Sequence, residues 1–243
     1  MKYKFDGTID GIFSCILRCF LNRENPSEII DDFIQLSLTD QVIDVETDLE
    51  SNKRIITALY KYCGYNALCD LKYAFRSGDK NKSTIIFNYV KKTFECRKSI
   101  SEKFSDPVVM AYYELIKRIC LEVHRFKGFV RFSESERGIY YAHIEPDNDI
   151  VDLLIPHFAA RFKEIPFAIH DVKRNKLAMH FNGKTKVINP NFAVSVNLGK
   201  NEEDYTKLWR TYYNSVCISS RKNTRLMNAF LPVRYHKHLT EKI

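Results

Sequence analysis

The chain has 243 residues, of which 45% are hydrophobic and 13% are aromatic. This composition excludes a disordered chain and suits one large domain, or two closely packed lobes, with a sizeable core. With 8 Gly and 7 Pro, the sequence is not of the low-complexity or collagen-like type either. It contains no run of 18 apolar residues, and its first residues lack the apolar segment of a signal peptide. We therefore expect a cytoplasmic protein without a membrane partner.

Positive charge is concentrated in the last part of the sequence. The net charge is +8, and the residues from Lys207 onward include eight Lys and Arg against one acid, Glu241, a local balance of +7. Such a concentration is typical of a surface that binds a polyanion such as nucleic acid. A solvated basic surface without a ligand is the alternative, and the charge pattern alone does not decide between them.

The spacing of cysteines and histidines gives no sign of a metal centre. The seven cysteines are scattered, so we expect reduced thiols, and Cys15 and Cys19 lack the further ligands that zinc requires. We interpret His236 and His238, two residues apart, as part of the basic tail. The glycine motifs that bind phosphate and the serine nucleophile motif do not occur in the sequence. The sequence therefore predicts neither a metal nor another cofactor.

The first half of the sequence is predicted to be mainly helical. Residues 3–6 form a predicted strand, and Thr8 is placed to cap the helix that follows. A short helix is expected from Ser27 and would include Phe33, whereas residues 42–48 alternate in the manner of a strand. Apolar residues that step by three and four predict further helices at residues 49–63, 66–76, 82–95 and 107–126.

The pattern changes at Gly128, where a predicted sheet begins. Its predicted strands include residues 129–132, 139–145 and 167–171. A helix capped by Asp147 and ending near Lys163 is expected within the sheet, and Asn182-Gly183 predicts a tight hairpin turn. Two more helices are predicted, at residues 202–217 and 220–229.

Together these elements predict an α+β fold. The first half is rich in helix, residues 128–190 form a mostly antiparallel sheet with one inserted helix, and helices return at the carboxyl end. If the chain forms two lobes, they are expected at residues 1–127 and 128–243.

Histidines, arginines and an aspartate recur in the middle of the sequence, on elements that otherwise look like core. This cluster contains His124, Arg125, Arg131, His157, Arg161, His170, Asp171 and Arg174. A charge on a core-facing helix needs a partner, and Asp171 is a candidate. The candidate catalytic residues, suited to acid/base chemistry or phosphate binding, are His157, Arg161, His170, Asp171 and Arg174. An Arg–Asp pair that only ties a helix to the sheet is the alternative, and it stays open.

Cationic and aromatic residues are interleaved near the carboxyl end. The candidate nucleic-acid-binding residues are Arg125, Lys127, Arg131, Arg210, Arg221, Lys222, Arg225 and Arg234. Trp209 and Tyr212 can stack on exposed bases, but their helical spacing also fits a buried core face. The sequence alone does not decide which of these roles they have.

Seven blocks of the sequence, in order, resemble those of one bacterial family. The blocks read FDGTIDGIF, HRFKGFVRF, YYAHIEP, HFAARF, IHDVKR, LWRTYYNSVCISSRKN and PVRYHKHLTE. The family is uncharacterised and is described as a probable DNA metabolism protein. Its members are typically encoded beside a putative DNA-modification or repair radical-SAM protein, and longer relatives carry a uracil-DNA-glycosylase-like domain. Phe5 stands where the family resemblance predicts Tyr, and His236 where it predicts an aromatic residue such as Trp.

The resemblance implies an accessory protein of DNA repair or modification that binds nucleic acid and acts with a radical-SAM partner. It assigns no catalytic residue. Two alternatives stay open: an enzyme that acts on nucleic acid or nucleotides through the cluster around His170, and a protein-interaction scaffold that does not bind nucleic acid.

Overall fold

The computed structural model describes residues 1–31, 41–192 and 194–242. The chain divides into two compact units, Met1–Cys120 and Leu121–Ile243. The boundary between them lies within the long helix Pro107–Phe129.

The first unit contains a small parallel sheet and several helices. In chain order its described elements are β1 (Lys2–Phe5), α1 (Ile9–Asn22), β2 (Glu28–Asp31), β3 (Val42–Asp44), α2 (Leu49–Phe75), α3 (Lys82–Cys96) and the first part of α4 (Pro107–Phe129). The strand order is β2-β1-β3, and both pairings are parallel. Because parallel neighbours need a crossover, α1 connects β1 to β2.

Helix α1 forms as its sequence predicts. The Thr8 hydroxyl accepts a hydrogen bond from the backbone N–H of Gly11, which caps the first turn. Ile12, Ile16 and Cys19 lie on one face and are buried in the core of the unit. This face removes apolar surface from water and holds the helix in place.

Two sequence-based expectations for the first unit are wrong. The segment after Ser27 forms strand β2 rather than a helix, because its backbone pairs with β1 and both Ile29 and Ile30 are buried. The part of that prediction that concerns Phe33 lies outside the described residues. The two helices expected at 49–63 and 66–76 form one element, α2, broken at Gly64, whose φ of 76° is a conformation that favours glycine.

The second unit is built around a five-stranded sheet among the described residues. Its elements after α4 are β4 (Ser133–Glu134), β5 (Tyr140–Ile144), α5 (Val151–Phe162), β6 (Phe167–Asp171), β7 (Lys176–Phe181), β8 (Lys184–Ile188), α6 (Glu202–Val216), α7 (Thr224–Phe230) and the 3₁₀ helices Ser219–Arg221 and Val233–His238. The strand order is β4-β5-β6-β7-β8. Strands β5 and β6 are parallel, with α5 as their crossover, and the other neighbours are antiparallel. The predicted α+β class is confirmed.

One face of this sheet is covered by α5. Phe158 and Phe162 of α5 pack against Phe167 of β6, and Phe132 joins the same aromatic group. Because side chains alternate along a strand, Ile169 and Asp171 lie on this face as well. We call it the helix face of the sheet.

The opposite face, called the open face below, is only partly covered. A small apolar cluster of Tyr141, Ala168 and Leu177 lies on it, with Val194 and Val196 packed against that cluster. His170 lies on the same face, because it alternates with Phe167 and Ile169 along β6.

Two boundaries in the second unit differ from those expected. Residues 129–132 do not form a strand, because α4 continues to Phe129 and the Val130 N–H still donates to the Phe126 carbonyl. Helix α5 begins at Val151 rather than at Asp147, and its first turn has no side-chain cap. The turn at Asn182-Gly183 is confirmed, with φ angles of 47° and 70°.

Within the described residues, no helix combines the length and apolar character that crossing a bilayer requires.

Candidate functional site

Two of the predicted catalytic residues, Asp171 and Arg174, form an ion pair. The Asp171 carboxylate is fully buried, and the Arg174 Nη1 atom lies 2.8 Å from Oδ2. The same guanidinium also donates to the backbone carbonyls of Pro146 and Asp147. All these contacts join the end of β6 to the segment that precedes α5. The geometry therefore suits a structural tie, in which the guanidinium is already committed to protein acceptors.

His157 and Arg161 lie apart from that pair. Both are on α5, where the His157 ring contacts Phe158 at 4.9 Å and Arg161 is exposed. Among the residues that the structure describes, no hydrogen bond or ion pair joins either side chain to His170, Asp171 or Arg174. The five residues thus do not form one connected constellation, and their catalytic role stays a prediction.

His170 is the predicted residue with the most informative surroundings. The Tyr141 hydroxyl lies 2.7 Å from His170 Nδ1, and His170 Nε2 lies 3.1 Å from Asn175 Oδ1. Asn175 donates through Nδ2 to the Pro190 carbonyl, which fixes the orientation of its amide. In the neutral imidazole, Nε2 must therefore carry the proton, and Nδ1 accepts from Tyr141. We call this chain the Tyr141 relay.

Two more histidines lie on the open face, His143 next to His170 and His238 next to His143. His143 pairs with His170 in the register of β5 and β6, and its ring stacks on His238 at a centroid distance of 6.1 Å. His238 Nε2 lies 3.3 Å from a Glu145 oxygen, which Lys237 also contacts. Burial first, and then the charges of His238 and His170, lower the pKa of His143. The pKa of Tyr141 rises to about 12 through burial, so its hydroxyl stays neutral at physiological pH.

The Tyr141 relay lies between two depressions in the protein surface. One, of about 610 Å³, is lined in part by Ser135, Arg137, Tyr141 and Met179. The other, of about 680 Å³, is more open and is lined in part by His170 and Asn175. Both volumes are within the range of sites that hold small molecules.

Half of the predicted nucleic-acid-binding cations hold partners within the protein. These are Arg125, Arg131, Arg210 and Arg234. Arg131 makes the tightest of these contacts, a bidentate pair in which Nη2 lies 2.6 Å from a Glu241 oxygen. Its guanidinium also lies 5.8 Å from the centre of the Trp209 ring. We infer that these four arginines mainly hold the carboxyl-terminal segments together.

The other half of the predicted set is exposed. Within the described parts of the chain, the side chains of Lys127, Arg221, Lys222 and Arg225 have no hydrogen-bond or ion-pair partner. Three of these residues lie in sequence between α6 and the middle of α7, and we call Arg221, Lys222 and Arg225 the cationic segment. Unpaired, solvated cations of this kind are free to contact phosphate groups.

The apolar face of α6 is exposed instead of buried. No residue of α6 is buried, and its regularly spaced apolar residues are Tyr205, Leu208, Trp209, Tyr212 and Val216. Trp209 and Tyr212 are 39% and 57% exposed, so the alternative that they form a helix core is wrong for the described residues. Exposed apolar rows of this size are typical of surfaces that bind a ligand or a partner.

Sequence reasoning missed several residues that the structure brings to the open face. Tyr141 and His143 are two apart on β5, so the alternation of the strand already placed them on one side. Asn175 and His238 gave no such signal, because a turn and a 3₁₀ helix bring them there. No group of three or more histidine, cysteine or acidic side chains suited to a metal occurs within residues 1–31, 41–192 and 194–242.

The fold and these surfaces define an α+β protein with a basic, aromatic-rich carboxyl-terminal region. The chain belongs to the family described as a domain of unknown function, DUF4130, whose model matches residues 80–241. A search of the curated proteins finds no match.

Among solved structures, the chain is similar to the pGpG-specific phosphodiesterase PggH from Vibrio cholerae. The two are 10% identical, and the alignment covers 88% of this chain and 98% of the other, with a TM-score of 0.32. A likeness at that level supports no inference about function.

Proposed function

We propose that the protein binds single-stranded nucleic acid through the row of α6 and the cationic segment, which we call together the C-terminal surface. The supporting observation is that exposed aromatic side chains and unpaired cations occur in consecutive elements, α6 and the residues up to Arg225. Aromatic faces stack on unpaired bases, and arginine or lysine contacts the phosphates. Single strands are favoured over duplex, because only unpaired bases offer their faces for stacking.

We also propose a cellular role and a protein partner for this chain. The block resemblance supports an accessory role in DNA repair or modification beside a radical-SAM protein. Apolar residues on and next to the C-terminal surface are strongly exposed, with Leu208 of α6 at 64% and Phe230 of α7 at 68%. Apolar exposure of this kind suits a protein partner, so docking of the radical-SAM protein there is the second candidate.

Fluorescence anisotropy with a labelled deoxythymidine strand of about 16 nucleotides and the matching duplex tests the proposal. The variant Arg221→Gln/Lys222→Gln/Arg225→Gln removes the cationic segment. If each cation meets one phosphate, the slope of log affinity against log salt becomes shallower by about 2. The matched control removes three exposed cations of the first unit: Lys80→Gln/Lys98→Gln/Lys117→Gln.

We expect tighter binding of the single strand than of the duplex, and a loss of affinity in the cationic-segment variant only. An equal loss in both triple variants would mean that overall charge, rather than this surface, attracts the strand. No binding at low salt would reject nucleic-acid binding. Co-purification of the radical-SAM protein in that case would support the scaffold alternative.

A further inference from the structure

The depression of about 610 Å³ on the open face has the features of a binding site that the C-terminal surface does not use. Its walls include the apolar side chains of Leu177, Met179, Val194 and Val196, together with the ring of Tyr141. Apolar and aromatic walls of this kind are suited to a planar ring. The Tyr141 side chain also lines the depression, and its hydroxyl, held by His170, is one polar group that can orient such a ring.

The Tyr141 relay determines how that hydroxyl acts. Because its proton is directed to His170 Nδ1, the oxygen keeps its lone pairs as acceptors. A ligand that offers an N–H group can therefore donate to Tyr141. On the other side of the ring, Asn175 Oδ1 accepts from His170 Nε2 and keeps the imidazole in the tautomer whose Nδ1 accepts from Tyr141. The fold therefore favours a ligand that donates a hydrogen bond to the Tyr141 oxygen.

One cation lines this depression, and two more lie on the same face of the sheet. Arg137 lines it and is exposed, without a side-chain partner among the described residues. On strand β8, Lys186 lies directly opposite Met179 and Lys184 opposite Phe181, so both lysines are on the open face. Glu136 is the acid among the lining residues. Arg137, Lys184 and Lys186 outnumber Glu136, and this excess of positive charge favours a ligand that joins an anionic group to its ring.

We propose that this depression binds one nucleotide unit: the base against Met179 and Tyr141, and the phosphate toward Arg137 and Lys186. The class of ligand follows from the walls, the acceptor and the cations, and the choice of a nucleotide rests on the proposed binding of nucleic acid. Two sources share this chemistry, a free nucleoside monophosphate and one unit of a bound strand. A cavity of about 610 Å³ accommodates a mononucleotide.

The four methionines allow each surface to be observed separately. Met179 lines the depression, Met227 lies on α7 two residues after Arg225 of the C-terminal surface, and Met1 and Met110 serve as references. Methyl-labelled methionine in the full chain is titrated with deoxynucleoside monophosphates, with inorganic phosphate, and with the deoxythymidine strand. The variant Met179→Leu assigns the relevant signal while conserving volume.

We expect a mononucleotide to shift the Met179 methyl signal saturably and leave Met227 unchanged. Inorganic phosphate alone should not shift Met179, because it lacks the ring. If the strand shifts both methyl signals, a unit of the strand occupies the depression. If the strand shifts only Met227 while mononucleotides shift Met179, the site takes free nucleotides.

Substitutions test whether the named residues make the site. Arg137→Gln/Lys186→Gln should weaken mononucleotide affinity roughly tenfold, and Tyr141→Phe should weaken it by a smaller factor while keeping the ring. Lys163→Gln/Lys173→Gln, which removes two exposed cations that do not line the depression, is the matched control. Circular dichroism confirms that each variant is folded.

Some outcomes overturn the inference. If no mononucleotide shifts Met179 while the strand still shifts Met227, the nucleotide site is wrong and the proposed function stands. If mononucleotides shift Met179 but the Arg137/Lys186 variant binds them as tightly as the control, the assignment of the phosphate fails. If neither ligand shifts any methyl signal, both proposals fail.

Discussion

The Tyr235 hydroxyl donates a hydrogen bond to Glu122 Oε1 at 2.7 Å, within the second unit. Glu122 is a buried carboxylate, 4% exposed, that also accepts from the backbone N–H of Asp147 and from both the N–H and the side-chain amide of Asn148. Burial and the nearby Glu122 charge raise the pKa of Tyr235, so it stays a donor. The contact ties the 3₁₀ helix Val233–His238 to α4 through one charged acceptor.

The first prediction concerns this contact. Tyr235→Phe leaves Glu122 with one donor fewer, and we expect the free energy of unfolding to fall by about 1–3 kcal/mol. Glu122→Ala removes the acceptor of four hydrogen bonds and should destabilise the protein more strongly. Urea denaturation measures both, with the exposed Tyr205→Phe as control. An unchanged midpoint for Tyr235→Phe would show that the hydroxyl does not stabilise this region.

The second prediction separates a structural from a catalytic role for Asp171. Asp171→Asn removes the charge of the fully buried carboxylate and weakens its pair with the half-buried Arg174 guanidinium. We expect a loss of about 2–4 kcal/mol in unfolding free energy, with strand affinity of the folded protein unchanged. The control is Glu164→Gln, a substitution of an exposed residue. A variant with full stability and altered binding would contradict the structural role.

The third prediction uses the single tryptophan of the chain. Trp209 lies in the exposed row of α6, and its indole N–H donates to a Glu241 oxygen at 3.0 Å. Stacking of a base on this ring should quench its fluorescence when the strand is added. Raising the salt to about 1 M should reverse the quenching by releasing the strand. Quenching that persists at high salt would indicate a contact other than the one proposed.

The fourth prediction concerns pH. The folded protein lowers the pKa of His143 below its ordinary value of 6.5, whereas the unfolded chain keeps that value. The unfolded state therefore binds the proton more readily, so stability falls as the pH drops from about 6.5 through the lowered pKa of the folded state. Above that window His143 is neutral in both states and contributes no slope. Glu145 partly opposes the shift.

Urea titrations between about pH 5 and pH 8 measure this effect, and the variant His143→Gln should reduce the slope. His124→Gln, which replaces an exposed histidine on α4, should leave the slope unchanged. Equal slopes for the parent protein and His143→Gln would show that another group causes the dependence.

Local patterns predicted much of the helical structure but little of the pairing between strands. Thr8 and Asn182-Gly183 act over a few residues, and the structure confirms both. The segment at Ile29 and Ile30 was predicted to be helical, because its pairing with β1 depends on residues far away in sequence. The parallel pairing of β5 and β6 was missed for the same reason, since a helix separates them.

The features of the candidate sites that depend on consecutive residues could also be predicted, whereas those that depend on packing could not. The positive charge and aromatic spacing of the C-terminal surface were visible in the sequence, because they are properties of consecutive residues. Whether the row of α6 is buried depends on what packs against it, which its spacing cannot show. Arg161 on α5 was expected to need a partner, with Asp171 as the candidate, but Asp171 pairs with Arg174, three residues away, and Arg161 is exposed.

The crossover through α5 has a consequence for the kinetics of folding. The hairpin of β7 and β8 closes a two-residue turn and is expected to form within microseconds. Strand β6 cannot pair with β5 until the intervening helix has crossed the sheet, which requires a long-range loop closure. Refolding of this region should therefore be limited by the slow arrival of β6 beside β5.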